Sequence, residues 1–447
     1  MSSSGKLRRE LNIFEMISIT AGAVLGGWLA EIPYWYEVTG AGNAFLFPII
    51  ALLLVPVGLA IAEMTTLIPY AAGPLAFTYK ALGRRAAFWT HWMFFLVQVI
   101  EPPLMVFIWA AIIRYFYGIE EFGTVKILTV VLLLIWFAIS MYRIGFVGKL
   151  ADAVFVIMLI IPIIVGASMF LSGHWTLSNV VEHGGWFPKG FYGAALGMAV
   201  LVLKFIGFEF VPVFAEEVRF PRKKFWQPVI YSLFIPATLY LYASLAMAGM
   251  LPWHKIASLD LPGPRIIEMY NLPYILVLLA ILAGFLHAFS TMAGFWLSSA
   301  RALYGFAQLG YLPKKVMETN KYGQPWVANV IVLLLSLMFV LFTPTEWVQY
   351  VYAISCVAAG ILYAILMIDW WILRKKDPRP REYTAPGGVL TLIIGFLMSV
   401  WIAIGSALTM PIEGWYAFIL FIILGILVWM VGEKYQKEGK WVPEIKI

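Results

Sequence analysis

Thr20-Ala21-Gly22-Ala23-Val24-Leu25-Gly26-Gly27-Trp28 lies in an apolar run from about Ile13 to Tyr36. The run is long enough to cross a bilayer, which takes roughly 20 helical residues. Within it, Gly22, Gly26 and Gly27 each cost a helix about 1 kcal/mol relative to alanine. A break in the span is therefore expected. In lipid, backbone released from helical hydrogen bonding persists only where it lines a cavity or is buried in protein, so a break at mid-bilayer marks a binding site. Small residues also serve as packing faces between membrane helices. What favours a break is a second weak point, Lys204-Phe205-Ile206-Gly207-Phe208-Glu209, because paired interruptions point to a transporter.

The rest of the composition agrees with a bilayer as solvent. The 447 residues are 62% hydrophobic and 12% charged, against about 25% charged in a soluble domain. The chain reads as an all-α polytopic membrane protein. Lys6, Arg8 and Arg9 lead into a span too long for a signal-peptide core, with no small-residue cleavage site after it, so the first span is expected to be retained. Cys356 is the one cysteine, which excludes an intrachain disulfide and a cysteine metal cluster. No motif asks for a cofactor.

Apolar windows give about twelve spans, near 13–36, 43–68, 87–117, 125–142, 150–171, 191–217, 227–251, 273–303, 326–343, 347–373, 388–410 and 415–432. Alternating the connections between two faces puts Arg114, Lys126, Lys189, Lys255 and Arg265 on one side and Lys204 within a span. The remaining Lys and Arg fall on the other side, which the positive-inside rule makes cytoplasmic, with both termini. The net charge of +7 is then an orientation signal and not a nucleic-acid patch. Tyr34, Trp35, Tyr36, Trp175, Trp186 and Phe187 read as an aromatic belt, and the outer connections 172–190 and 252–272 as segments able to form short helices over a vestibule.

If spans one and six are the broken ones, they are five apart, and an odd repeat length inverts the second unit against the first. The organisation expected is a cytoplasmic segment 1–12, a first unit of five spans over 13–171, an outer loop 172–190 and a second unit over 191–373. A cytoplasmic loop 374–387, two trailing spans over 388–432 and a cytoplasmic tail 433–447 complete it.

Four further stretches carry a resemblance. Ala62-Glu63-Met64 is followed by Ile68-Pro69-Tyr70-Ala71-Ala72-Gly73-Pro74; Phe205-Ile206-Gly207-Phe208-Glu209 runs on to Ala215-Glu216-Glu217-Val218-Arg219-Phe220-Pro221-Arg222. Ser299-Ala300-Arg301-Ala302-Leu303-Tyr304 leads to Gly310-Tyr311-Leu312-Pro313 and Gly323-Gln324-Pro325, and Arg381-Glu382-Tyr383 precedes Ala385-Pro386-Gly387. In this order the chain resembles the amino acid/polyamine/organocation superfamily of secondary transporters. The resemblance implies a LeuT-like fold, a 5+5 inverted repeat plus two helices with helices 1 and 6 broken, and a substrate carboxylate held by N–H groups of the first break. It further implies an ammonium held by carbonyls of both breaks. On matching positions, Ala23, Gly26, Gly27 and Trp28 serve the carboxylate, while Val24, Leu203 and Ile206 offer carbonyls. Trp28 stands where many members have a small residue, which reshapes the pocket. Some proton-coupled members have a lysine in the fifth span; the matching residue is Met158, so that mechanism is not implied.

Ionisable groups inside spans cost at least about 2.5 kcal/mol each on insertion scales and are functional candidates by default. Glu101, before Pro102 and Pro103, is expected either to pair with a cationic substrate or carry a proton, or else to be a neutral structural carboxyl. Lys204 and Glu209 flank the second break, either as a structural pair with each other or with Lys204 as a coupling group. Ser290-Thr291 and Ser298-Ser299 are candidate sodium ligands, although such hydroxyls commonly bond between helices or to their own backbone. Phe205 and Phe208, with Phe295 or Trp296, are candidates for an aromatic lid; Glu31 and His287 are weaker candidates for a role at the site.

The function expected is secondary active transport of amino acids across the plasma membrane by alternating access, proton-coupled first, with exchange, polyamine carriage and sodium coupling as alternatives. The partners are then a small amino acid or amine, a proton or sodium ion, and lipid. A sensor or membrane-embedded enzyme would need a signalling domain, a nucleophile arrangement or a ligand cluster, and none is visible in the sequence.

Overall fold

The computed structural model describes residues 7–26, 28–118, 122–342 and 348–446. Helix α1 (Ile13–Val24) begins where Asn12 accepts from the Phe14 and Glu15 N–H groups and Glu15 returns a bond from its carboxylate to the Asn12 N–H, a reciprocal cap that satisfies otherwise orphaned donors. It stops at Val24, and α2 (Trp28–Thr39) resumes the path. α3 (Asn43–Leu67) follows, then the short α4 (Pro74–Leu82). α5 (Arg84–Val99) and α6 (Glu101–Tyr117) form one apolar run divided at Ile100, where Pro102 and Pro103 withhold two backbone donors.

α7 (Phe122–Ser140) and α8 (Ile144–Phe170) lead to a loop carrying α9 (Ser178–Val181). α10 (Gly190–Val200) then gives way to tighter 3-10 turns at Leu201–Phe205 and Phe208–Phe214. The expected sixth span is thus helical only in its first half, and the departure is wider than the glycine alone suggested. Gly207 sits at φ +132°, which ends any helix, and Pro212 then removes a further donor. α11 (Trp226–Ala248) is followed by α12 (Trp253–Ala257) and α13 (Pro262–Met269) in the second outer loop. α14 (Tyr274–Gln308), α15 (Trp326–Phe342), α16 (Val348–Lys376), α17 (Val389–Thr409) and α18 (Ile412–Lys437) complete the chain.

Among the described residues, nine stretches have the length and composition to cross a membrane, and three shorter apolar helices accompany them: Ile13–Val24, Lys126–Ser140 and Trp326–Phe342. The described residues form isolated bridges between Leu11 and Val218 and between Thr319 and Pro325, and no strand. α18 turns Ile419, Leu420, Ile423, Leu427 and Met430 outward, an apolar surface that suits lipid and not water. The protein is a polytopic all-α membrane protein. Its two interrupted spans are central: α1 packs on α8, α11 and α14, and the 201–214 turns pack on α3, α11, α14 and α16.

Candidate functional site

Where a helix ends in a dry interior its last carbonyls need donors from elsewhere. At the first break the carbonyls of Ala23, Val24 and Gly26 each have one, although only Val24 was expected to act through its carbonyl and the other two through their N–H groups. Thr291 Oγ1 on α14 donates to the Ala23 carbonyl at 2.8 Å, Tyr240 OH on α11 to the Val24 carbonyl at 2.6 Å, and Lys204 Nζ to the Gly26 carbonyl at 2.5 Å. Gly26 N–H turns back to the Ala23 carbonyl at 3.4 Å. Gly27 and the Trp28 side chain lie outside the described residues. A Cβ on Gly26 would land on the Thr291 side chain, so the glycine is needed for the close approach of α14.

The second break is tied down differently. Glu209 accepts from its neighbour's Gly207 N–H at 2.8 Å, from Gln98 Nε2 at 2.8 Å and from Tyr363 OH at 3.0 Å. Ser298 Oγ donates to Gln98 Oε1 at 2.7 Å, so α5, α14 and α16 converge on one carboxylate. The Leu203 carbonyl accepts the Ile206 N–H at 3.2 Å. A Cβ on Gly207 would meet Val24 Cγ2 at 2.8 Å, which shows how closely the two breaks touch.

Lys204 does not pair with Glu209, the structural alternative read from the sequence. Its ammonium reaches the other break, 2.6 Å from Glu31 Oε2 as well as 2.5 Å from the Gly26 carbonyl. Glu31 stands in the first turn of α2, where the helix dipole favours an anion, and it also accepts from Tyr352 OH on α16. Both side chains of the pair are 5% exposed. Sequence spacing favoured Glu209 because it is near in the chain; folding brings Glu31 nearer in space.

Glu101 opens α6 and is buried, and α6 packs on α14 and on α2, the helix that carries Glu31. Its Oε1 has no hydrogen-bond partner among the described residues. The four hydroxyls raised as sodium ligands serve as follows. Thr291 and Ser298 donate as given above, Ser299 Oγ donates to the Phe295 carbonyl at 2.7 Å, and Ser290 Oγ lies against Gly22. The aromatic candidates do not assemble into one lid. Phe205 packs near Phe47 and Tyr240, Phe208 against Tyr363, and Phe295 edge-on to Phe210, while Trp296 Nε1 donates to Asn329 at 2.9 Å. Met158 is buried. Among the described residues no group of three or more His, Cys, Asp or Glu could hold a metal ion.

Beneath the site, toward the N-terminal segment, the Glu216-Glu217 motif forms a floor. Arg301 grips Glu217 through Nε at 2.6 Å and Nη2 at 2.7 Å, both side chains fully buried, and reaches Gln324 at 3.0 Å. The Glu10 and Leu11 N–H groups donate to the Glu217 carbonyl, and Arg219 N–H to the Leu11 carbonyl at 2.9 Å. Glu216 accepts from Ala71 N–H and Gln308. Tyr240, Tyr352, Tyr363 and Gln98 were not legible as site residues; nothing local distinguishes a tyrosine that caps a broken helix from one in a belt.

Residues 11–430 match the sequence pattern of a family described as amino acid permease. Similar full-length proteins include the branched-chain amino acid permease BcaP of Bacillus subtilis, 24% identical over 98% of this chain and 96% of its own. The γ-aminobutyric acid permease of the same organism is 25% identical over 84% and 81%, and its methylthioribose transporter 25% identical over 96% and 94%.

Proposed function

Since the chain belongs to the amino acid permease family, we propose that this membrane transporter carries amino acids or related amines across the plasma membrane by alternating access, with its substrate held between the two breaks. The observation that carries this reading is the meeting of two interrupted spans, where Lys204 of the second reaches the freed Gly26 carbonyl of the first. Irregular backbone at membrane depth belongs at a site. The breaks fall five apolar spans apart, which supports a count of twelve, an inverted repeat of five plus five, and α17 and α18 as trailing helices. The excess of Lys and Arg on alternate connections supports cytoplasmic termini. Relatives 24% to 25% identical bear the names of a branched-chain amino acid, γ-aminobutyric acid and methylthioribose, so no single substrate carries over.

Coupling to protons is the reading we favour, with Glu101 and Glu209 as the carboxyls in the site able to carry one. Glu101 is the better candidate because one of its oxygens has no donor among the described residues, whereas Glu209 accepts from three. The test is a thermal-shift screen of the purified protein against amino acids and polyamines, since a ligand of the folded state raises its melting temperature. Uptake of each hit into proteoliposomes follows, with an inward proton gradient, a sodium gradient or neither. Stabilisation and uptake of an amino acid driven by the proton gradient supports the reading; sodium-driven uptake moves the coupling to the hydroxyls of α14; no hit and no uptake overturns it.

A further inference from the structure

The seat at the first break already holds an ammonium, and that ammonium is the protein's own. Carbonyls at a broken helix and the carboxylate beside them attract cations. Lys204 Nζ occupies both, bonded to the Gly26 carbonyl and to Glu31. The Ala23 and Val24 carbonyls are taken by Thr291 and Tyr240. An incoming ammonium that seeks both the Gly26 carbonyl and the Glu31 carboxylate therefore meets a cation already seated there. A lysine is also the donor best able to leave, because its charge rides on a flexible four-carbon stem. It has somewhere to go: Glu101, buried at the start of α6, the helix that packs on α2 and α14, offers an oxygen with no partner among the described residues. Glu209 is a poor alternative, being bonded already by Gly207, Gln98 and Tyr363.

We propose that Lys204 is a tethered competitor of the substrate: it fills the ammonium seat of Gly26 and Glu31 while the site is unloaded, and a substrate's primary ammonium displaces it onto Glu101. The proposal rests on the transport reading for its substrate, but the seat itself is testable without one. The ligand class is set by what sits there now, a primary ammonium on an alkyl stem. Loading the site this way moves a charge within the protein and puts a cation beside both Glu31 and Glu101. Glu101 is thus a specificity-determining acceptor for the displaced lysine, not a direct ligand of the substrate.

Removing the competitor has an unusual consequence. In Lys204→Ala the unloaded protein melts at a lower temperature, because buried Glu31 loses its cationic partner. Methylammonium at millimolar concentration restores stability to that variant and does nothing for wild type. The amino acid or amine that stabilises wild type in the screen binds Lys204→Ala about tenfold or more tighter, and methylammonium competes with it. Weaker or unchanged substrate binding in Lys204→Ala overturns the proposal, since a lysine that contacts substrate or merely braces the fold gives one of those results. Absence of a methylammonium effect overturns the seat.

Should Lys204→Ala not fold, the charge-balanced pair Glu31→Gln with Lys204→Met gives the second arm. Glu101→Gln weakens substrate binding in wild type and has no effect in the paired variant, because there is no lysine left to receive. Equal effects in both backgrounds overturn the transfer to Glu101. If no compound stabilises wild type while methylammonium still rescues Lys204→Ala, the failure belongs to the transport reading and the seat stands.

Discussion

Gly207 holds φ +132° with its missing side chain facing Val24 at 2.8 Å. An alanine there carries both a backbone penalty of about 1–2 kcal/mol and a contact that pushes the breaks apart. Gly207→Ala is expected to lower the melting temperature and reduce substrate affinity together; an affinity at wild-type level would show that the separation of the breaks is not part of the site. Gly26 works by closeness instead of by dihedral angle. A valine there collides with Thr291, so Gly26→Val is expected to abolish ligand stabilisation while also lowering stability. Pairing it with Thr291→Ala restores part of the stability, and a complete absence of rescue would place the clash elsewhere. Glycine content marked the first break in the sequence. Which neighbour makes each glycine necessary was not legible, because Thr291 is distant in the chain.

At the scale of elements, the buried Arg301–Glu217 pair ties α14 to the chain just after the second break, and the N-terminal segment lies across it through Glu10, Leu11 and Arg219. Breaking a buried ion pair by removing one partner costs about 3–5 kcal/mol, while replacing both with apolar groups is often neutral. Arg301→Met is therefore expected to destabilise strongly and Glu217→Leu with Arg301→Met to recover most of the loss, as read by thermal melting. A double variant no better than the single one would show that the arginine acts alone. The Glu216-Glu217 motif stood out in the sequence as a resemblance. Its physical task, holding the turn between α3 and α4, α14 and the N-terminal segment at one point, required the fold. The sixth span taught the opposite lesson: its apolar run looked helical to Glu217, and Gly207, Pro212 and close packing made the second half a series of tight turns.

For the molecule as a whole, the N-terminal segment is a strap outside the spans, and its fastening is sensitive to pH. Glu10 accepts from Arg143 at 2.7 Å and from Gly145 N–H at 3.0 Å, joining the segment to the start of α8. Burial draws the Glu10 carboxyl upward, but Arg143 and the Gly145 N–H outweigh it and hold the group below its ordinary 4.5. A depressed carboxyl contributes stability that is fully present above the unfolded value and is lost as the pH falls through the folded one. Limited proteolysis of the N-terminal segment is thus expected to accelerate below about pH 4.5, and Arg143→Ala to move that onset upward. A cleavage rate flat across the range would mean that the Leu11–Val218 bridge alone fastens the strap.

Apolar runs, the placement of Lys and Arg and the glycines at 22, 26 and 207 were enough by themselves to determine a polytopic helical membrane protein interrupted at two places. Those signals are local: hydropathy over some 20 residues decides bilayer crossing, and a glycine weakens whichever helix contains it. Partnership was decided only by the tertiary structure. Lys204 meets Glu31 and Gly26 and not Glu209, one Glu101 oxygen has no partner among the described residues, and three tyrosines bond Val24, Glu31 and Glu209 from helices far along the chain. The physical reason is desolvation. In a dry interior every freed carbonyl and every charge must find a partner, and the partner is chosen by proximity in space, which sequence spacing does not encode.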